Sequence, residues 1–180
     1  NLMYSHVILK DSKLIKKFIK LKKYFNIIYI VDSYGTLIMG DVENIIKKIK
    51  KIDNKILIGF HAHNNLEMAL SNSIEAIKNN IDYLDSTITG MGRGAGNLKT
   101  ELLLTYLNLK KKIIKISNYK NIAHVVNQFE DIKLKEKWGT SLPYMISGAT
   151  QNPQAEAMQL IKSKRYNLGD IISYLTKKKK

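Results

Sequence analysis

The sequence predicts an α/β fold with four parallel βα units in succession, followed by a helical extension. Three observations point to it. Short runs rich in β-branched residues, NIIYIV (26–31) and KILIGF (55–60), suit strands buried in a parallel sheet. The stretches between them carry apolar residues at helical spacing. The strands begin roughly 25–30 residues apart, room for a strand, a polar loop and a returning helix.

Taken in order, LMYSHV (2–7) is the first strand, and Asp11 or Ser12 caps a helix carrying Leu14, Ile15, Phe18, Ile19 and Phe25. NIIYIV is the second strand. After DSYG comes a helix with Val42, Ile45, Ile46, Ile49 and Ile52. KILIGF is the third strand, followed by HAHNN and a helix with Leu66, Leu70, Ile74 and Ile77. DYLDSTI (82–88) is the fourth, leading through a glycine-rich loop to a helix from about Thr100 to Leu107. No Pro or Gly linker interrupts residues 1–108, which form one domain. Residues 109–180 are the helical extension. It begins with a helix and connector, and two helices follow within 153–175, carrying Leu160 and Ile161, then Ile171, Ile172 and Leu175. Four such units open a doubly wound sheet and a (β/α)8 barrel alike. A full barrel takes about 250 residues, so four units amount to half of one.

Composition narrows the functional classes. The chain has 180 residues, 44% of them hydrophobic, enough for one substantial core. No apolar run approaches the roughly 18–20 residues of a membrane span. The opening NLMYSHVILK has no charged region ahead of an apolar stretch, so it is no secretory signal. Position 1 is not Met, and the numbering is expected to begin inside a longer protein. Cysteine is absent, which removes disulfides and thiolate ligands and is compatible with a cytoplasmic location. The formal charge of +15 is almost entirely Lys, with Arg93 and Arg165 the only arginines. Lysines such as Lys16, Lys17, Lys20, Lys22 and Lys23 fall between apolar helix positions, the pattern of solvated outer faces. Weak attraction of anions is expected, and a nucleic-acid interface is not. The terminal KKKK reads as a solvated end.

In parallel α/β proteins, ligands bind beyond the carboxyl ends of the strands. Ser5-His6, Asp32-Ser33, His61/His63 and GMGRGAGN (90–97) all fall there. If His61 and His63 continue their strand, alternation puts both side chains on one face. Two imidazoles without thiolates suit a divalent metal whose other ligands are oxygens; the alternative is a hydrogen-bonded pair packing a loop. Gly90, Gly92, Gly94 and Gly96 alternate, and Ala95 breaks the dinucleotide fingerprint. The loop could bring backbone N–H groups and Asn97 to an anion or metal, or be only a tight turn. Asp32 either caps the next helix or accepts backbone donors. Ser33 is a candidate hydroxyl donor to a substrate oxygen. With no G-x-S-x-G elbow, nothing marks it as a nucleophile.

The succession LMYSH, YIVDSYG, GFHAHNN and LDSTITGMGRGAGN resembles the pyruvate-aldolase branch of the metal-dependent (DRE-type) TIM-barrel lyases, with the 4-hydroxy-2-oxovalerate aldolases its nearest members. The resemblance covers about residues 2–108. It implies the C-terminal half of a TIM barrel and a Mn²⁺ or Mg²⁺ cofactor. His61 and His63 are then metal ligands, with Asn97 completing the shell. His61 and Ser33 would contact a bound 2-oxo acid, Ser33 at its carboxylate, and Tyr144 in SLPYMISG is the nearest candidate for a tyrosine that reaches substrate. The implied reaction is retro-aldol cleavage of a 4-hydroxy-2-oxo acid to pyruvate and an aldehyde. The implied partners are an N-terminal barrel half or a second copy, and an acylating aldehyde dehydrogenase. The family's Arg-Asp pair is missing from this sequence, and with it a metal ligand, an enolate-stabilising arginine and the nearby base. The chain alone is therefore expected to bind metal weakly and catalyse little. Two other readings stand beside this one: an acyl-CoA/2-oxo acid condensing synthase of the same superfamily, and a non-catalytic interaction module.

Overall fold

The computed structural model describes residues 2–5, 11–110, 114–116 and 118–177. His6 lies outside them, as do residues 111–113 and 117 of the expected helix and connector and the last three lysines. Strands β1 (Leu2–Ser5), β2 (Ile27–Asp32), β3 (Leu57–Ala62) and β4 (Tyr83–Leu84) form one parallel sheet in the order β1-β2-β3-β4. A doubly wound sheet reverses its strand order at a switch point; these four strands show no reversal. Helices α1 (Ser12–Ile19), α2 (Asp41–Ile52) and α3 (Ala69–Lys78) connect them, and α4 (Thr100–Leu109) follows β4. The chain continues through α5 (Tyr119–Glu136), α6 (Leu142–Ala149), α7 (Gln154–Ser163) and α8 (Leu168–Thr176). No helix among the described residues is long and apolar enough to cross a membrane.

Local chemistry sets the boundaries. Asp11 caps α1 by accepting from the Lys13 N–H at 2.8 Å. Gly40 takes a left-handed φ of 91° just before α2. That helix carries Asp41 and Glu43 in its first turn and Lys50 and Lys51 in its last, as the helix dipole favours. α2 buries Val42, Ile45, Ile46 and Ile49 against Ile28, Ile30, Ile58 and Phe60 of the sheet. Burial of each such side chain is worth about 1.5–3 kcal/mol.

Three elements differ from the sequence pattern. The apolar run of β2 predicts burial on both faces, but the helices cover one, and Ile27 and Val31 on the other remain half-exposed. Tyr29, on that open face, is buried because its ring lies across Gly59, where a Cβ would come within 2.5 Å of it. The third helix begins at Ala69, because Glu67 adopts a left-handed φ of 59° and leaves Leu66 in the preceding turn. Its buried face is Ala69, Asn72, Ser73 and Ala76, small residues that permit close approach, while Leu70, Ile74 and Ile77 are half-buried. β4 is two residues long instead of seven. The flanking Asp82 and Asp85 amides still donate to Ile58 and Phe60 carbonyls at 2.8 and 3.0 Å.

A second apolar cluster joins Ala95 of the glycine-rich loop to Tyr144, Ala157, Ile171 and Leu175 of α6–α8. Trp138 adds a hydrogen bond from its indole N–H to the Thr89 carbonyl at 3.0 Å. The C-terminal helices thus brace the loop that follows β4.

Asp32 ends β2 fully buried, its two oxygens accepting the Thr36 and Leu37 amides at 3.0 and 3.1 Å. It organises the turn beyond β2. Removing a charged acceptor from buried amides costs about 1.5–3 kcal/mol. Asp32→Ala is expected to lower the urea midpoint by that equivalent with the slope unchanged; a midpoint equal to the parent's would contradict this role.

Candidate active site

A cleft of about 450 Å³ opens at the carboxyl ends of β2 and β3. Ser33, Tyr34, His61, His63, Arg93 and Asn97 line it, together with Pro153, Gln154 and Ala155 at the start of α7. Strand alternation supplies the histidines. His61 is the penultimate residue of β3 and His63 lies just beyond it, while Ala62 between them turns into the core. The two rings stand edge to face, 5.1 Å apart at 88°.

Each ring is held by its Nδ1. That of His61 lies 3.0 Å from Asp85 Oδ2, and that of His63 lies 3.3 Å from the Ser33 carbonyl. Histidines that ligate metals are held in this way, the outer nitrogen bonded to a carboxylate or carbonyl and the inner one free for the ion. Here Nε2 of each ring is the remaining basic atom. Burial, and secondly the neighbouring His61, holds His63 below the usual histidine range, partly opposed by the Ser33 carbonyl and Asp32. The neutral form this favours is the one that binds metals. Among the described residues no group of three or more His, Cys, Asp or Glu side chains converges as a metal site. Within the described cleft, the nitrogen donors that could serve a metal are the two imidazoles, with the Asn97 amide beside them.

Asn97 reaches the cleft through the glycine-rich loop. It bridges to His63 in an antiparallel contact, and its side-chain NH₂ donates to the Met91 carbonyl at 2.9 Å. A Cβ on Gly92 would come 2.6 Å from that nitrogen, so a side chain there would displace the Asn97 amide. The Gly96 and Asn97 amides donate within the loop, to Arg93 and Gly90 at 3.1 and 3.0 Å. The loop holds Asn97 at the wall of the cleft.

The structure thus brings Ser33, His61, His63 and Asn97 to one cleft. Tyr144 stands apart: it is buried in α6, where burial raises its hydroxyl above the usual phenol range, and it is not among the lining residues. Its backbone reaches the cleft through Asn65, whose side-chain NH₂ donates to the Tyr144 carbonyl at 2.9 Å and to Gln154 Oε1 at 3.0 Å. Four residues at or beside the cleft escape the sequence pattern: Tyr34, Asp85, Arg93 and Gln154. Asp85 directly follows β4, inside the run that the sequence pattern reads as a longer strand. Gln154 had no sequence signal: only folding brings it to the Arg93 carbonyl, 2.5 Å from its side-chain nitrogen.

His63 should titrate below the ordinary histidine value of about 6.5 in the folded, metal-free chain. The sign for stability follows from the neutral form being favoured on folding. Stability is full above the unfolded value and declines as pH falls through the folded one. Side-chain ¹⁵N spectra, assigned with a His63→Ala variant, measure the titration; a His63 value at or above the ordinary one would contradict this environment.

Comparison with known proteins places this cleft in a family. The HMGL-like family profile matches residues 11–149. A 4-hydroxy-2-oxovalerate aldolase from Geobacillus genomosp. 3 is 45% identical over 83 residues, 46% of this chain and 24% of that protein. An oxaloacetate decarboxylase from Mycobacterium tuberculosis is 41% identical over 81 residues, 45% of this chain and 24% of that protein. The chain spans about a quarter of the length of these curated relatives. Among solved structures, the N-terminal domain of a protein from Bacteroides vulgatus, provisionally assigned as an aldolase, superposes with a TM-score of 0.82 at 39% identity. That match covers 96% of this chain and 56% of the other. The carboxyl transferase domain of Rhizobium etli pyruvate carboxylase shares the fold at a TM-score of 0.66 and 14% identity, over 86% of this chain and 26% of the other. The profile match takes in strands β2–β4, both histidines and the glycine-rich loop, and on that ground the chain belongs to the HMGL-like family.

Proposed function

We propose that this chain forms part of the active site of a divalent-metal-dependent carbon–carbon lyase that cleaves a 4-hydroxy-2-oxo acid to pyruvate and an aldehyde. The observation that carries this is the pair of imidazoles at one strand end, each fixed through Nδ1, in a cleft shared with Ser33, Arg93 and Asn97. Membership of the HMGL-like family supports the reaction class, and aldolases recur among the relatives. The substrates in the relatives' names, 4-hydroxy-2-oxovalerate and oxaloacetate, are both 2-oxo acids whose bond between C3 and C4 is the one to break. The shared 2-oxo carboxylate head is what this cleft grips. Decarboxylation of oxaloacetate is the second reading that the relatives favour.

His61 and His63 would hold Mn²⁺ or Mg²⁺, with Asn97 beside them as an oxygen donor. Bound there, the cation would supply Lewis-acid polarisation of a 2-oxo group. Ser33 donates its hydroxyl to the substrate carboxylate, and Arg93 adds positive charge at the same wall. α7 closes one side of the cleft and reduces its contact with water. The strand order without reversal supports the C-terminal half of a (β/α)8 barrel. The half-exposed face of β2 and β3 is then the inner face of that barrel, and another polypeptide segment or a second copy supplies the remaining strands. The base that deprotonates the 4-hydroxyl, and an arginine for the enolate, belong to that other half.

Titration calorimetry with Mn²⁺ tests the metal reading. His61→Ala and His63→Ala are each expected to weaken binding by more than the roughly 10–100-fold that follows loss of an outer-shell partner. Unchanged affinity in both variants would favour a non-catalytic module. In the complete enzyme, Ser33→Ala is expected to cost about 1–3 kcal/mol in kcat/KM, the worth of one hydrogen bond to a charged group. Pyruvate release from 4-hydroxy-2-oxovalerate and from oxaloacetate, followed by coupled reduction to lactate, supplies the rates. Release from oxaloacetate alone would select the decarboxylase reading, release from neither would sink both, and rates unaffected by Ser33→Ala would remove Ser33 from the substrate.

A further inference from the structure

Asp85 is placed by the sheet and not by a loop. It directly follows β4, and its backbone N–H donates to the Phe60 carbonyl at 3.0 Å, one residue before His61 on the neighbouring strand. Parallel pairing of Phe60 with Leu84 therefore sets the Asp85 and His61 side chains next to each other on the open face of the sheet. Its Oδ2 lies 3.0 Å from His61 Nδ1, with the two side chains 40% and 19% exposed. On the same face Tyr29 lies across Gly59, close enough to Asp85 for the carboxylate to act on its hydroxyl. The carboxylate thus sits between a buried phenol and an imidazole. His63 is oriented differently, by the Ser33 main-chain carbonyl.

We propose that Asp85 is a positioning residue for His61, holding that imidazole as the Nδ1–H tautomer and leaving Nε2 as its one lone-pair nitrogen toward the cleft. The inference rests on the reading of His61 as a metal ligand. An ionised carboxylate can only accept hydrogen bonds, so its 3.0 Å contact requires the proton to be on Nδ1. A free imidazole in water favours the opposite tautomer, which would point an N–H at the cleft and block coordination. Asp85 reverses that preference. It also fixes the ring plane and raises ligand basicity, the two effects through which outer-shell carboxylates strengthen metal sites.

The test uses the full chain, ¹⁵N-labelled and metal-free, at a pH of about 8 where imidazoles are neutral. Side-chain ¹⁵N shifts of His61 should show a protonated Nδ1 and an unprotonated Nε2. Asp85→Asn keeps the backbone bond to Phe60 and nearly the same shape, and should shift His61 to mixed or reversed tautomers, with unchanged far-ultraviolet dichroism. Asp85→Ala should shift it to the free-imidazole mixture. In both variants Mn²⁺ affinity, measured by calorimetry with the metal alone, should fall roughly 10–100-fold. A His61 that keeps its Nδ1 proton in both variants would overturn the positioning role. So would a tautomer change with full Mn²⁺ affinity, if His61→Ala still weakens binding. If Mn²⁺ affinity is untouched by the Asp85 variants and by His61→Ala alike, what fails is the reading of His61 as a ligand.

Discussion

The in-register parallel pairing of β2 with β3 is the constraint on which the site depends. Val31 lies opposite His61 and Asp32 opposite Ala62, so the two strands end at the same level. Side chains alternate across a strand, and one residue of slip would exchange the buried and open faces. The register is secured on the helix side, where Ile28, Ile30, Ile58 and Phe60 are fully buried. With that face fixed, the opposite set at the strand ends faces the cleft: Ser33 on one strand, His61 and His63 on the other. The Ser33 carbonyl then meets His63, and β4 brings Asp85 to His61, without any long loop having to find its place.

The same pairing explains the uneven distribution of burial. The apolar stripes of amphipathic helices cover one face of the sheet, and the other holds a half-exposed belt of Ile27, Val31 and Leu57 around the packed Tyr29–Gly59 contact. Such a belt is costly to leave wet, whereas layered side chains close it in a barrel interior. Helix-side residues hold the register, and the candidate site residues lie on the opposite, open side.

Much of this was legible in the sequence. The β-branched runs and the helical stripe of α2 announce their elements directly, and the alternation in HAHNN announces the pairing of His61 and His63 on one face. The failures have physical causes. The third helix shows an apolar stripe, yet it packs through Ala69, Asn72, Ser73 and Ala76, because a small-residue face allows closer approach than a large apolar one. Asp85 and Gln154 enter the site through tertiary pairing, which no local period encodes. Tyr144, the nearest candidate that the resemblance offers for a substrate-reaching tyrosine, lies in the second apolar cluster.

The central claim is that His61 and His63 present their Nε2 atoms to one metal ion. Pulsed electron paramagnetic resonance of Mn²⁺ bound to this chain tests it most directly, because imidazole nitrogens in the first coordination shell modulate the electron spin echo. The account predicts couplings from two imidazole nitrogens, one lost in His61→Ala and the other in His63→Ala. Bound Mn²⁺ with no nitrogen coupling, held by oxygens alone, would contradict it.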